Sequence, residues 1–298
     1  MWKKLPLHLA HRKITKELHM STIALMGAGG KMGLRIASKL KDDADYKTLY
    51  VEISDAGKAD LAELGLSATS QDEALQQADV VILALPDKLI GKICNDIVPK
   101  VKSGTMVMGL DPAAGYAGVL PEREDISYFI SHPCHPPMFG EETDLEAQRD
   151  WFGGVKANQN IVCSLHHGPE ENYAKGEAIA RIIFAPVLRA HRVTTEQMAV
   201  LEPALVETLV LTCLMVVHEA MEEVIKMGLP KQAVLDFLLG HIRTTVAIVW
   251  DFAGAPASDG AKLAAAQAMK QIFQPDWKKI LKIENVKKSV KDITGAIE

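Results

Sequence analysis

The sequence predicts an α/β protein in which a doubly wound, mostly parallel sheet is followed by an all-helical carboxyl-terminal domain. A short apolar run enters a glycine-rich turn at Ser21–Gly33, and strand-like runs then alternate with helical patterns as far as Val193. From Thr195 onwards only helical patterns remain. We therefore expect an extension of doubtful order over residues 1–19, a sheet domain over 20–194 and a helical domain over 195–298.

The glycine-rich turn follows a predicted strand and precedes a predicted helix. Its spacing is G-x-x-G-x-x-G, one residue longer than the usual G-x-G-x-x-G. Glycines let the backbone turn sharply and approach a pyrophosphate, and the helix N-terminus offers free N–H groups to that anion. A plain surface turn is the alternative, but the strand and helix favour a Rossmann-type dinucleotide site. The predicted contacts are Gly27, Ala28, Gly29, Gly30, Lys31, Met32 and Gly33.

An acidic residue follows the second predicted strand. Thr48–Val51 ends at Glu52, close to the spacing of roughly 20 residues expected after the glycine turn. A carboxylate there accepts hydrogen bonds from the adenosine ribose hydroxyls and repels a 2′-phosphate. The sequence therefore predicts NAD as the cofactor in preference to NADP.

Further apolar runs complete the predicted sheet. The run Val80–Leu85 is typical of a strand buried on both faces, and Pro86 and Asp87 after it are expected at the cofactor crevice. The other predicted strands are Gly104–Leu110, Ser127–Ile130, Ile161–Leu165 and Val187–Val193, and the predicted helices are Leu34–Lys41, Ala56–Leu64, Gln71–Ala78, Leu89–Val98 and Pro169–Phe184.

The helical half carries an unusually apolar segment. Pro203–Val217 is interrupted by Glu207, so it falls short of the roughly 20 apolar residues of a membrane span and predicts a buried helix. Such a helix needs cover on several sides, which predicts a homodimer formed through the carboxyl-terminal helices. The predicted helices are Pro203–Met227, Pro230–Gly240, His241–Phe252 and Ala261–Phe273, followed by a charged tail from Pro275.

Composition narrows the class of partner. The 298 residues include 33 basic and 38 acidic ones, for a net charge of −5, and no basic stripe suits nucleic acid. Four scattered cysteines without a C-x-x-C pair favour a reducing, cytoplasmic setting. Residues 1–19 lack the apolar core of a signal peptide. We expect a small acid as substrate and neither nucleic acid nor membrane as partner.

The segment Ser131–Pro137, with sequence SHPCHPP, concentrates chemically active side chains. His132, Cys134 and His135 lie within four residues at the end of a predicted strand, in a loop stiffened by prolines. Imidazole and thiolate are preferred ligands of zinc. Two alternatives stay open: one histidine acts as a general base without metal, or the loop is only structural.

A carboxylate marks the junction between the two halves. Glu202 precedes Pro203 at the predicted start of the long helix, where it could bind a cation or take a proton. A glutamate that caps its own helix is an equally common reason for this pattern.

Taken together, the motifs IALMGAGGKMG, ADVVILALPD, GLDPAAG and SHPCHPP resemble those of the phosphogluconate-dehydrogenase-like oxidoreductases. The likeness extends from Ser21 to about Ile293. The catalytic K-x-x-x-N of β-hydroxyacid dehydrogenases is absent, since Lys226 has no asparagine after it. The resemblance implies NAD-dependent oxidation of a branched sugar acid, coupled to a shift of its carbon skeleton.

The resemblance also implies roles for three candidate catalytic residues. His132 and Glu202 would hold a divalent metal, with zinc as the expected ion, and His135 would be a second ligand or a proton carrier. Two alternatives remain: a metal-free dehydrogenase of the prephenate type, with His132 or His135 as base, and a non-catalytic NAD-binding dimer.

Overall fold

Seven strands form one sheet in the computed structural model, which describes residues 20–295. The predicted extension over residues 1–19 lies outside this range. The order across the sheet is β2-β1-β3-β4-β5-β6-β7. The strands are β1 (Ser21–Met26), β2 (Tyr46–Val51), β3 (Val80–Leu83), β4 (Met106–Gly109), β5 (Ser127–Pro133), β6 (Gln159–His167) and β7 (Val187–Arg192).

The pairing confirms the doubly wound, mostly parallel sheet. Neighbours from β2 to β5 are parallel, β6 runs antiparallel to β5, and β7 is parallel to β6. Helices cover both faces and connect the parallel strands. They are α1 (Lys31–Leu40), α2 (Asp55–Glu63), α3 (Gln71–Gln77), α4 (Asp87–Ile97), α5 (Ala113–Tyr116), α6 (Leu145–Gln148) and α7 (Asn172–Ile183), with a 3₁₀ turn at Val98–Lys100.

The continuous apolar strands are explained by burial on both faces of the sheet. Along β1, Ile23 and Leu25 pack into the cluster that α1 and α7 cover, whereas Ala24 and Met26 pack into the cluster under α3 and α4. All four side chains are almost completely buried. Because successive side chains of a strand point to opposite faces, a strand covered on both sides has no polar face to show.

The helical half differs in detail from the prediction. Thr194 caps its first helix, α8, with a capping box, and the chain continues without a break through a π-helical segment into α9. The two helices predicted around Gly240 are one helix, α10, since a single glycine inside a helix destabilises it by only about 1 kcal/mol. The elements are α8 (Thr195–Ala199), the π-helix (Val200–Leu211), α9 (Thr212–Lys226), α10 (Lys231–Val249), α11 (Asp259–Ile272), a 3₁₀ turn (Trp277–Leu281) and α12 (Ile283–Thr294).

The charged tail predicted from Pro275 contains an amphipathic helix that returns to the sheet domain. In α12, Val286 and Val290 are fully buried and pack with Ala113 of α5. Charged residues cover the outward face of this helix, which is why the sequence was interpreted only as a charged tail.

The prediction of a buried helix over Pro203–Val217 is wrong for a single chain. Only Pro203 and Ala204 of that stretch are buried, and neither α10 nor α11 buries any residue. Thr195–Lys226 and Lys231–Val249 are each long and apolar enough to cross a membrane by length and composition, with 11% and 0% of their most apolar windows buried. The apolar faces that were expected to be buried are therefore uncovered in the single chain.

Candidate active site

The glycine turn between β1 and α1 is tightly packed. The N–H groups of Gly27 and Ala28 both donate to the Val51 carbonyl, which ties the turn to the end of β2. Gly27 has a φ of 71°, and a Cβ at Gly33 would lie 2.1 Å from the Gly27 carbonyl oxygen. Only glycine fits these positions, so the spacing that looked irregular in the sequence forms a compact turn.

The start of α1 is open to an anion. Gly30 is its N-cap and offers no side-chain hydrogen bond, and the first turn holds no acidic residue. The first N–H groups of a helix have no partner within the helix, and they carry a partial positive charge. This turn fits the pyrophosphate of a dinucleotide.

Glu52 braces the turn from the end of β2. Its carboxylate accepts hydrogen bonds from the N–H groups of Gly29, Ile53 and Ser54 and from the Ser54 hydroxyl, at 2.8–3.0 Å. Partial burial would raise the pKa of Glu52, but the bonds from Ser54, Gly29 and Ile53 lower it below its usual value. The residue is therefore ionised at neutral pH beside the expected ribose position.

His132 lies at the same edge of the sheet, near the end of β5. Strands β4 and β5 are paired with Gly109 opposite Ile130, which brings Leu110 and Asp111 beside His132. The Nδ1–H of His132 donates to the Leu110 carbonyl at 2.9 Å. Since a carbonyl can only accept, Nδ1 carries a proton, and in the neutral ring Nε2 then has the lone pair.

The Nε2 atom of His132 is buried and has no hydrogen-bond partner. It lies 3.6 Å from Oε2 of Glu202, which comes from the helical half of the chain. The prediction that Glu202 stands at or beside a helix cap is wrong, because the helix begins at Thr195 and Glu202 lies inside the π-helical segment. The structure thus brings together the two residues expected to share a metal.

Three more carboxylates surround this pair. Burial raises the pKa of Asp111 to about 6; the bond from the Ala113 N–H and the proximity of His132 oppose this rise, and the other carboxylates of the site add to it. Asp111 Oδ2 lies 3.8 Å from His132 Nδ1. Desolvation by burial also raises the pKa of Asp87 and of Glu207, and for Glu207 the nearby carboxylates add to the rise. Such a concentration of carboxylates favours a bound cation or a stored proton.

The other two candidates in the SHPCHPP segment have different surroundings. His135 donates from Nδ1 to the Phe152 carbonyl at 2.8 Å, and its ring meets that of His132 edge-on, with centroids 6.2 Å apart. Cys134 is exposed as a residue, but partial burial of its thiol raises the pKa of that group, and the nearby charge of Glu202 raises it further. Neither side chain is part of the His132–Glu202 contact.

The chain matches two described families. Residues 140–294 match the phosphogluconate dehydrogenase (decarboxylating) C-term family, and residues 3–108 match the NAD binding domain of D-isomer specific 2-hydroxyacid dehydrogenases. The D-apionate oxidoisomerase of Rhizobium rhizogenes is 48% identical over 92% of this chain and 100% of its own length. The enzyme of the same name from Cupriavidus necator is 48% identical over 91% and 99%.

The chain belongs to the D-apionate oxidoisomerase family. This membership confirms the resemblance found in the sequence and makes the protein an NAD-dependent oxidoreductase. The non-catalytic alternative is thereby set aside.

Solved structures show the same fold. A semialdehyde dehydrogenase NAD-binding protein from Cupriavidus necator, solved in complex with calcium and NAD, is 47% identical over 92% of this chain and 99% of its own, with a TM-score of 0.89. An NADH-preferring ketol-acid reductoisomerase from an uncultured archaeon is 19% identical with a TM-score of 0.65, which shows a shared fold.

Within the D-apionate oxidoisomerase family fold, the pair His132 and Glu202 fits a metal ion by its donor chemistry. A free imidazole nitrogen facing a carboxylate, with the other nitrogen held by a backbone carbonyl, is the usual arrangement of a metal-binding histidine. No group of three or more His, Cys, Asp or Glu side chains suited to a metal occurs between residues 20 and 295. A metal here would therefore take its remaining ligands from water or substrate.

Two acidic residues of this site were not selected from the sequence. Asp111 directly follows the predicted strand Gly104–Leu110, and because the adjacent ends of parallel strands meet at one edge of the sheet, its approach to His132 was foreseeable. Glu207 lies five residues after Glu202, and this spacing places two side chains on one face only in a π-helix. The sequence pattern offered no sign of that local geometry.

Proposed function

We propose that this protein oxidises D-apionate, a branched sugar acid, with NAD and couples the oxidation to isomerisation of the carbon skeleton. The proposal rests on two relatives named D-apionate oxidoisomerase, which are 48% identical to this chain over nearly its whole length. Its structural support is one observation: the buried, unpartnered Nε2 of His132 faces Glu202 at the edge of the sheet that carries the glycine turn.

In this proposal His132 and Glu202 hold a divalent metal. When bound, such an ion polarises a hydroxyl or carbonyl oxygen as a Lewis acid, which favours both alcohol oxidation and carbon migration. Zinc is the ion predicted from the sequence. One imidazole with one carboxylate also suits the harder ions, which prefer oxygen ligands and keep several waters.

The chain's own groups have distinct tasks. The Leu110 carbonyl keeps the His132 ring in one orientation and one tautomer. Oxidation transfers a hydride from the carbinol carbon to NAD and releases the hydroxyl proton, so the site needs a proton acceptor. Asp111, whose pKa is about 6, is ionised at neutral pH and is well matched to that task.

The test combines a rate measurement with product and metal analysis. Purified protein with NAD and D-apionate should form NADH, seen by absorbance, and ¹³C NMR should show a rearranged oxo-acid. His132→Ala should reduce kcat by at least about a hundredfold, whereas His191→Ala, at an exposed histidine of β7, serves as the matched control. NADH formation that survives chelation, in protein without bound metal, would replace this model by a metal-free base at His132. Absence of NADH formation with every member of a panel of sugar acids would overturn the proposal.

The uncovered helices support a homodimer. Phe237 of α10 is 68% exposed, and an apolar groove of about 680 Å³ between α9 and α10 lies beside it. A second copy would cover these faces with the same apolar surface. Light scattering should give twice the chain mass, and Phe237→Glu should shift the protein towards monomer. A monomer at all micromolar concentrations would exclude this arrangement.

A cytoplasmic location completes the proposal. All four cysteines are free thiols, and Cys94 and Cys163 are buried in the sheet domain. Fractionation of the producing cell tests the location, and a membrane-bound protein would contradict it.

A further inference from the structure

A long connection, residues 134–158, joins the antiparallel strands β5 and β6 and lies beside the glycine turn of the cofactor site. We name this segment the strap. Two adjacent aromatic side chains lie in it, Trp151 and Phe152, which are 75% and 52% exposed. Aromatic rings are usually well buried, so their position calls for a physical reason.

Phe152 contacts the two cations at the start of α1. The Lys31 ammonium is 4.9 Å from the centroid of its ring, and the Arg35 guanidinium carbon is 5.2 Å from it. Both distances lie within the range of a cation–π interaction. Lys31 directly follows the glycine turn and Arg35 lies one helical turn later, so the ring holds two positive charges next to the pyrophosphate position.

Further contacts anchor the strap. One carboxylate oxygen of Asp150 accepts the backbone N–H groups of Val155, Lys156 and Ala157 at 2.9–3.2 Å, which folds the strap into a closed turn. Lys39 of α1 donates to the Val155 carbonyl at 3.3 Å. The aromatic ring is therefore presented to α1 by an ordered segment.

The backbone of Phe152 is connected to His132 through contacts of His135. Its carbonyl accepts the Nδ1–H of His135, and the His135 ring stands edge-on to His132. His135 has a φ of 60°, a conformation that side chains other than glycine and asparagine rarely adopt. A strained backbone at this point is maintained by the contacts on both sides.

We propose that Phe152 and His135 are positioning residues. Together they form a chain of contacts that links Lys31 and Arg35, the two cations near the expected cofactor pyrophosphate, to His132. Phe152 orients Lys31 and Arg35 for the cofactor, and His135 fixes the strap against the His132 ring. The role of Phe152 rests on cofactor binding alone. The role of His135 rests also on the proposed reaction at His132.

The first experiment measures the dissociation constant of NADH by fluorescence, without substrate or metal. Phe152→Leu should raise it about fivefold, as the loss of two exposed cation–π contacts predicts. Phe152→Tyr, which keeps an aromatic ring, should stay within about twofold. Trp151→Leu removes the neighbouring exposed ring and is the matched control. ADP-ribose, which retains the pyrophosphate, should show the same loss, and an unchanged constant for Phe152→Leu would refute the proposal.

The second experiment separates positioning from proton transfer at His135. His135→Asn accepts the positive φ and can still donate to the Phe152 carbonyl, whereas His135→Val does neither. We expect Asn to restore kcat to within about threefold of the wild type, and Val to lower both kcat and NADH affinity. A kcat for His135→Asn as low as that of His132→Ala, with normal NADH affinity, would make His135 a proton carrier and overturn its assignment. Thermal unfolding without ligand verifies that each variant is folded, and the NADH experiment stands whether or not D-apionate is the substrate.

Discussion

Replacing Asp111 by asparagine should stabilise the protein while removing a charge from the site. Folding raises the pKa of this carboxyl from the ordinary 3.8 to about 6. That rise corresponds to about 3 kcal/mol by which the folded state disfavours the ionised form. Asparagine has no charge, and it keeps an oxygen that can accept the Ala113 N–H now bonded at 2.7 Å.

The sign of the pH dependence follows from proton binding. Between about pH 4 and pH 6 the folded protein keeps the Asp111 proton that the unfolded chain releases, so the free energy of unfolding falls as pH rises. Above about pH 6, nearly all of this decrease in the free energy of unfolding has taken place. Burial raises the pKa values of Asp87 and Glu207 in both proteins, and because the charge of Asp111 adds to the rise at Glu207, removing that charge reinforces the stability gain of the variant.

Urea unfolding of chelator-treated, NAD-free protein measures this effect. The free energy of unfolding of Asp111→Asn should exceed that of the wild type by up to about 3 kcal/mol near pH 7.5 and by roughly half as much near pH 5. Asp60→Asn, at an exposed carboxylate of α2, is the control and should change little at either pH. A variant that is less stable than wild type near pH 7.5, or a difference that does not change with pH, would refute the assigned burial of Asp111.

Three further predictions concern the cofactor turn and the returning helix. Gly33→Ala should weaken NADH binding at least about tenfold because its Cβ would meet the Gly27 carbonyl at 2.1 Å, whereas Gly260→Ala, which has open space, should leave NADH titrations unchanged. Glu52→Gln should narrow the preference for NAD over NADP, measured as the ratio of the two dissociation constants, and an unchanged ratio would exclude Glu52 as its source. Val290→Ala should lower the free energy of unfolding by about 1–3 kcal/mol in denaturant titrations, since this side chain is fully buried, and no loss would mean that α12 does not pack as described.

The sheet could be predicted because its sequence signals are local. The apolar run at Val80–Leu85 and the glycine turn each specify one element without reference to distant residues, and the structure has both where they were expected. The edge at which strands β1, β3, β4 and β5 end then determines the neighbourhood of His132. Its contact with Leu110 follows from that register.

The parts that escaped prediction depend on long-range contacts or rare local geometry. Glu202 could be suspected, but its approach to His132 depends on a π-helical segment that no residue pattern announces. Nothing in the sequence distinguishes Phe152 from other loop residues, because its contact with Lys31 depends on how the strap folds back over α1. Burial of α10 could not be judged from one chain, because its apolar face has no partner in that chain.

The position of a bound metal tests the central claim most directly. Crystals grown with NAD and Mn²⁺, measured for anomalous scattering, should show a peak between His132 Nε2 and Glu202 Oε2, on the side of the glycine turn that holds the cofactor. A peak at other residues, or an ordered NAD with His132 still paired only to Leu110 and no peak beside it, would contradict the account.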